Sequence, residues 1–120
     1  MGAQYRAGAW FGLRSIREAS TLFSFGHGGA YDFEENVTFM PTDEVRGVDI
    51  GDADIIHTEM IKSHQNIELG VLKILEAGAL PVFLGGDHSV HIPCIRAFDD
   101  QEPVHLIYID AHLDFVDCRH

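Results

Sequence analysis

The sequence predicts an α/β fold organised around a parallel sheet, and three observations carry that expectation. An alternating run at residues 45–50 and continuously apolar runs at 80–84 and 104–109 read as strands, the last two covered on both faces. Helical patterns lie between them, giving the order strand, helix, strand, helix, strand that marks parallel strands with helices packed on the sheet. The residues richest in chemistry follow the ends of the second and third runs, where ligands meet sheets of this kind.

In chain order, residues 8–22 place Phe11, Ile16 and Ala19 among Arg14, Arg17 and Glu18, the pattern of a short surface helix. Residues 25–42 are Gly-rich and aromatic without a period, so an irregular loop with one short strand near 37–40 is expected. The run from Val45 to Ile50 alternates as a strand does, and Gly51-Asp52 ends it. Residues 58–77 carry Met60, His64, Ile67, Val71, Ile74 and Leu75 at spacings of three and four, which is one face of a long helix. Gly78 is placed to stop that helix, with Pro81 close behind. A second helix is expected from about Pro93, whose fixed φ suits a first helical turn, to Phe98. No repeat or low-complexity tract breaks this order, and 120 residues suffice for one domain.

Composition narrows the function. Apolar residues make up 46% and charged ones 22%, as in an ordinary globular chain, which argues against disorder. Eight basic residues against nineteen acidic ones leave a net charge of -11, a sign that repels phosphate backbones and excludes nucleic acid as the expected partner. A small cation or a metal suits it better. No apolar run approaches the roughly 20 residues that span a bilayer, and no basic leader opens the sequence, so no membrane partner and a cytoplasmic location are expected. The two cysteines, Cys94 and Cys118, then read as reduced thiols.

Two motifs carry the chemistry. Gly85-Gly86-Asp87-His88-Ser89 follows the second strand, and Asp110-Ala111-His112-Leu113-Asp114 follows the third. In an extended chain alternate side chains share a side, so Asp110, His112 and Asp114 offer carboxylate, imidazole and carboxylate toward one point. Oxygen and imidazole donors without thiolates suit Mn²⁺, Mg²⁺ or Zn²⁺. The paired glycines are expected to let the backbone turn sharply and bring His88 to the same place. Either motif alone has a plainer explanation, a hydrogen-bonded strand end or a tight turn. Both together, at two strand ends of one sheet, favour a metal centre.

Other polar residues are weighed against it. Asp52-Ala53-Asp54 lies before the long helix and is expected to serve helix initiation or solvation. His64 falls on the apolar face of that helix, as a core or interface residue. His91, His105 and His120 lack ligand spacing and are expected to be exposed or hydrogen-bonded. His27, between glycines in a loop, is a candidate for lining the site entrance.

Both motifs resemble signatures of the ureohydrolase family, which includes arginase, agmatinase, guanidinobutyrase and formiminoglutamase. Arg6-Ala7-Gly8-Ala9-Trp10-Phe11-Gly12, followed by Ile16-Arg17-Glu18-Ala19-Ser20, is similar to the start of agmatinase-like members, where Pro is usual at the position of Ala7 and Arg at that of Trp10. The resemblance implies a three-layer α/β/α sandwich with a mainly parallel sheet, of which residues 1–120 form the N-terminal portion of a single domain. It implies two Mn²⁺ ions bridged by a hydroxide. His88 would bind one ion and His112 the other; Asp110 would bridge them, and Asp114 would join His88 on the first and orient the hydroxide. Asp87 would hydrogen-bond a ligand rather than coordinate.

The implied reaction is hydrolysis of a guanidino compound, agmatine first, to urea and an amine; the alternatives within the family are guanidinobutyrase, arginase and formiminoglutamase. Family members run to more than twice this length and assemble as trimers or hexamers. Their remaining ligands, a second aspartate pair among them, fall in a part this sequence does not include. In their sheet, strands from that part lie between the runs ending at Leu84 and starting at Val104. The chain alone is therefore expected to be inactive. The competing reading is a truncated, non-catalytic remnant or a metal-binding subunit.

Overall fold

A computed structural model describes residues 8–21, 29–39, 45–101 and 103–112. Its elements are helix α1 (Trp10–Ser20), strands β1 (Ala30–Asp32) and β2 (Val37–Phe39), helix α2 (Met60–Glu76), a single 3₁₀ turn (His88–Val90) and helix α3 (His91–Arg96).

The long helix is where the periodicity places it. Gly78 stops it at a φ of +66°, a left-handed conformation that glycine adopts without strain. The Gly78 N–H donates to the Leu75 carbonyl at 2.9 Å and the Ala79 N–H to the Ile74 carbonyl at 3.2 Å, which satisfies two carbonyls the helix leaves open. At the other end the buried Ser63 holds the incoming chain. Its hydroxyl accepts from the Ile56 N–H at 2.9 Å and lies within 3.0 Å of the Ile56 carbonyl.

The core lies between α2 and α3. Val71 is buried against Pro93, Cys94 and Ala97, with Ile67, Leu72, Leu75 and Phe98 closing around them. Small residues on α3 allow this close approach, and burial pushes the Cys94 thiol up, so it stays protonated and inert.

Three expectations are corrected. Helix α3 begins two residues before Pro93, directly out of the 3₁₀ turn, so the proline sits inside the first helical turn. Its missing N–H costs nothing there, because the first four donors of a helix have no partner within it. The segment expected as loop with one strand holds two strands, paired antiparallel with Tyr31 opposite Thr38. Asp32 organises their connection by accepting from the N–H groups of Glu34 and Glu35 at 2.9 and 3.2 Å, and Asn36 takes the positive φ of 55°.

The third correction concerns the parallel sheet. Runs 45–50, 80–84 and 104–109 form no ladder, and the hairpin is the one sheet among the described residues. Their apolar side chains stand in solvent, Leu80 at 88% exposure, Ile107 at 86% and Ile109 at 95%. Composition marks a run as strand-like, but a strand needs a neighbour to pair with, and among the described residues none pairs with these runs. The radius of gyration, 17.2 Å, exceeds the ~14 Å of a compact domain of this length.

Helix α1 is tied to the first of these runs by charge. The Arg17 guanidinium donates to Asp49 at 2.7 and 3.3 Å and to Asp52 at 2.8 Å. Asp52 is thus an ion-pair partner rather than a helix cap. Asp54 offers its carbonyl to the Asn66 amide at 2.9 Å.

Two outcomes follow. The Arg17 guanidinium, with help from the Gly51 N–H, holds the Asp49 carboxyl below its ordinary range. A depressed carboxylate contributes stability that is fully present above its unfolded pKa, about 3.9, and lost as pH falls through the lower folded value. In the full-length protein, amides of residues 10–20 should therefore lose protection, relative to their intrinsic exchange at each pH, below about pH 3.9, and Asp49→Asn should lower that protection at neutral pH. The 120-residue chain by itself, with apolar runs uncovered, should aggregate or bind hydrophobic dyes and melt without a cooperative transition. A sharp thermal transition from a purified monomer would contradict this.

Candidate metal centre

The first motif is shaped by crowding more than by turning. Neither Gly85 nor Gly86 has a positive φ. A Cβ on Gly86 would fall 2.6 Å from the carbonyl carbon and oxygen of Ala9, and one on Gly85 would fall 2.5 Å from Val90 Cγ2. The paired glycines are needed because the start of α1 presses on one and the 3₁₀ turn on the other. That corrects the expectation of a glycine-driven sharp turn. Asp87 then caps the turn, its Oδ1 accepting from the Ser89 N–H at 2.9 Å.

His88 opens the turn, with its side chain 47% exposed. Its Nε2 is hydrogen-bonded to the Tyr108 hydroxyl, and its Nδ1 lies 3.9 Å from Asp110 Oδ2. The other oxygen of Asp110 faces His112, at 3.6 Å from Nδ1 and 2.8 Å from the backbone N–H. That backbone bond is the main reason the Asp110 carboxyl is held below its usual range; the charges of His88 and His112 add to it. One carboxylate therefore stands between two imidazoles, one oxygen toward each.

The donor chemistry fits divalent metal ions. Two ligands about 2.1 Å from one octahedral ion are roughly 3 Å apart at right angles and about 4 Å apart across it. Both imidazole–carboxylate separations fall within that span. Among the described residues, no group of three or more His, Cys, Asp or Glu side chains is gathered tightly enough to hold an ion. Asp110 is thus the carboxylate that the imidazoles of His88 and His112 both face. Asp114, the fourth expected donor, lies outside the described residues, as do His27, Cys118 and His120.

Two residues join the site without having been expected there. His91 is half-buried, its Nδ1–H donating to the His88 carbonyl at 2.5 Å and its ring centroid 4.5 Å from that of His88. Tyr108 stands edge-on to His88 at 5.8 Å. Tyr108 precedes Asp110 by two positions, so strand alternation alone placed it on the ligand side. His91 follows His88 by three, one turn of a tight helix. His64 is half-buried on α2, and His105 is exposed.

The sequence pattern of the Arginase family matches residues 1–120, and the chain belongs to that family, whose fold class is α/β. Guanidinopropionase from Pseudomonas aeruginosa is 34% identical over 94% of this chain and 33% of its own length. A mitochondrial guanidino acid hydrolase from Homo sapiens is 32% identical, covering 97% of this chain and 31% of that protein. Agmatinase from Bacillus anthracis is 34% identical, covering 92% and 36%. The chain thus spans about a third of the length of these relatives. No solved structure matches it.

A shared carboxylate and two separate imidazoles predict different losses. In the full-length protein, His88→Ala should remove one bound metal and keep the other, whereas Asp110→Ala should lose both. Elemental analysis of the purified variants reads this directly, and equal metal content in the two would remove Asp110 from the shared position.

Proposed function

We propose that the chain supplies part of the binuclear metal centre of an amidinohydrolase, one that cleaves a linear guanidino compound to urea and an amine. The observation that carries the reading is the Asp110 carboxylate set between His88 and His112, with one oxygen toward each imidazole. His88, Asp110 and Asp114 would hold one ion, and Asp110 and His112 the other. Mn²⁺ is the proposed metal, because every donor is oxygen or imidazole nitrogen. When bound, such a pair lowers the pKa of a coordinated water toward neutrality and makes a nucleophile available for an otherwise unreactive guanidinium carbon.

The chain's own residues do the positioning. The Asp87 cap fixes the turn that presents His88, and the His112 N–H keeps Asp110 ionised and oriented. Asp114 is proposed to orient the attacking hydroxide. The acidic balance of the chain favours a cationic substrate. Two of the relatives are named for guanidino compounds, a guanidinopropionase and a guanidino acid hydrolase, and a third is named an agmatinase. Agmatine is the first substrate proposed, with guanidinobutyrate and arginine as competitors.

The test strips metal from the full-length protein and reloads it while urea release is measured. Activity on one of these guanidino compounds, higher with Mn²⁺ than with Zn²⁺, is expected, and none from the 120 residues alone. Greatest recovery with Zn²⁺ would overturn the metal assignment. Urea from none of the three would overturn the reaction and favour a non-catalytic, metal-binding role.

A further inference from the structure

We propose that Tyr108 is a positioning residue for the metal centre, acting through His88. The inference rests on the metal reading above and deepens it. An imidazole that binds a metal offers the lone pair of one nitrogen and carries its proton on the other, and whatever bonds the protonated nitrogen decides which is which. His88 presents its two nitrogens to different neighbours: Nε2 meets the Tyr108 hydroxyl, and Nδ1 faces Asp110 Oδ2 at 3.9 Å. With the phenol oxygen accepting from Nε2–H, the Nδ1 lone pair is left on the side of the shared carboxylate. Tyr108 thereby holds the His88 ring in the orientation in which, with its proton on Nε2, it can share an ion with Asp110.

The placement supports this beyond the one bond. Tyr108 and Asp110 belong to the same apolar run, two positions apart, so one stretch of backbone carries both the carboxylate and the group that aims its imidazole partner. The ring of His91, tilted 43° to that of His88 and itself tied to the His88 carbonyl, limits how far His88 can swing away. A phenol is well suited to the task. It is rigid, it reaches across from the neighbouring segment, and its oxygen accepts a hydrogen bond without competing for the ion as a carboxylate would.

The test uses the full-length protein, freed of metal by chelation and titrated with Mn²⁺ by calorimetry. Tyr108→Phe keeps the ring and removes only the oxygen. It should weaken one of two Mn²⁺ sites by about 10–100-fold, the usual cost of losing such a hydrogen bond, and leave the other site and the melting temperature of the metal-free protein unchanged. In a His88→Ala background the same change should have no further effect on Mn²⁺ binding. Wild-type affinity in Tyr108→Phe would overturn the inference while leaving the metal centre standing. Equal weakening of both sites with a lower melting temperature would also overturn it, because it would show a packing role. A wild-type protein that takes up no Mn²⁺ would bring down the metal reading and this inference together.

Discussion

The packing of α3 on α2 around Val71 is the constraint on which the site depends. Pro93, Cys94 and Ala97 are small enough to let α3 lie close against the long helix. The 3₁₀ turn runs into α3 without a break, so whatever fixes α3 also fixes His88 at the turn's first position. Removing volume from Val71 would loosen the seat of α3, and His88 at the start of the turn would loosen with it. Stability and site geometry are the same problem here.

How much of this was legible in the sequence varies with the range of the interactions involved. Helix α2 and its glycine stop were legible because a 3.6-residue period and a left-handed C-terminal residue are local properties. The donor types of His88, Asp110 and His112 were readable residue by residue, and the structure brings the three together from two motifs that no strand pairing joins. The hairpin was not, since its signal is a single Asp32 carboxylate bonding two backbone donors and an Asn36 at positive φ, within a stretch of mixed composition. The reason for Gly86 was equally hidden. It lies in the backbone of Ala9, far back in the chain, and no local rule connects the two. Tyr108 hid in plain view: its alternation with Asp110 was readable, but its bond to His88 joins two motifs that the sequence presents separately.

The parallel sheet marks the boundary between pattern and partner. Apolar composition marks a run as one that tends to be buried, yet 80–84 and 104–109 stand largely in solvent. It does not supply the neighbour. A strand gains its stability from ladder hydrogen bonds and from faces covered by helices, and both depend on segments that must be adjacent in space. With no paired neighbour among the described residues, the runs richest in apolar side chains carry the greatest exposure, Leu80 and Ile109 among them.

The spacing between the two motifs is the least constrained part of the site. His88 sits just past one uncovered run and Asp110 just past another, and no ladder fixes the spacing between the two runs. What bridges the motifs is a hydrogen bond from imidazole to phenol and an imidazole–carboxylate approach of 3.9 Å. Contacts of this kind set orientation well but resist displacement poorly, being partly open to water. The distance between the motifs is therefore held by side chains alone, whereas the orientation of His88 is held by the 3₁₀ turn and by α3 packed on α2 behind it.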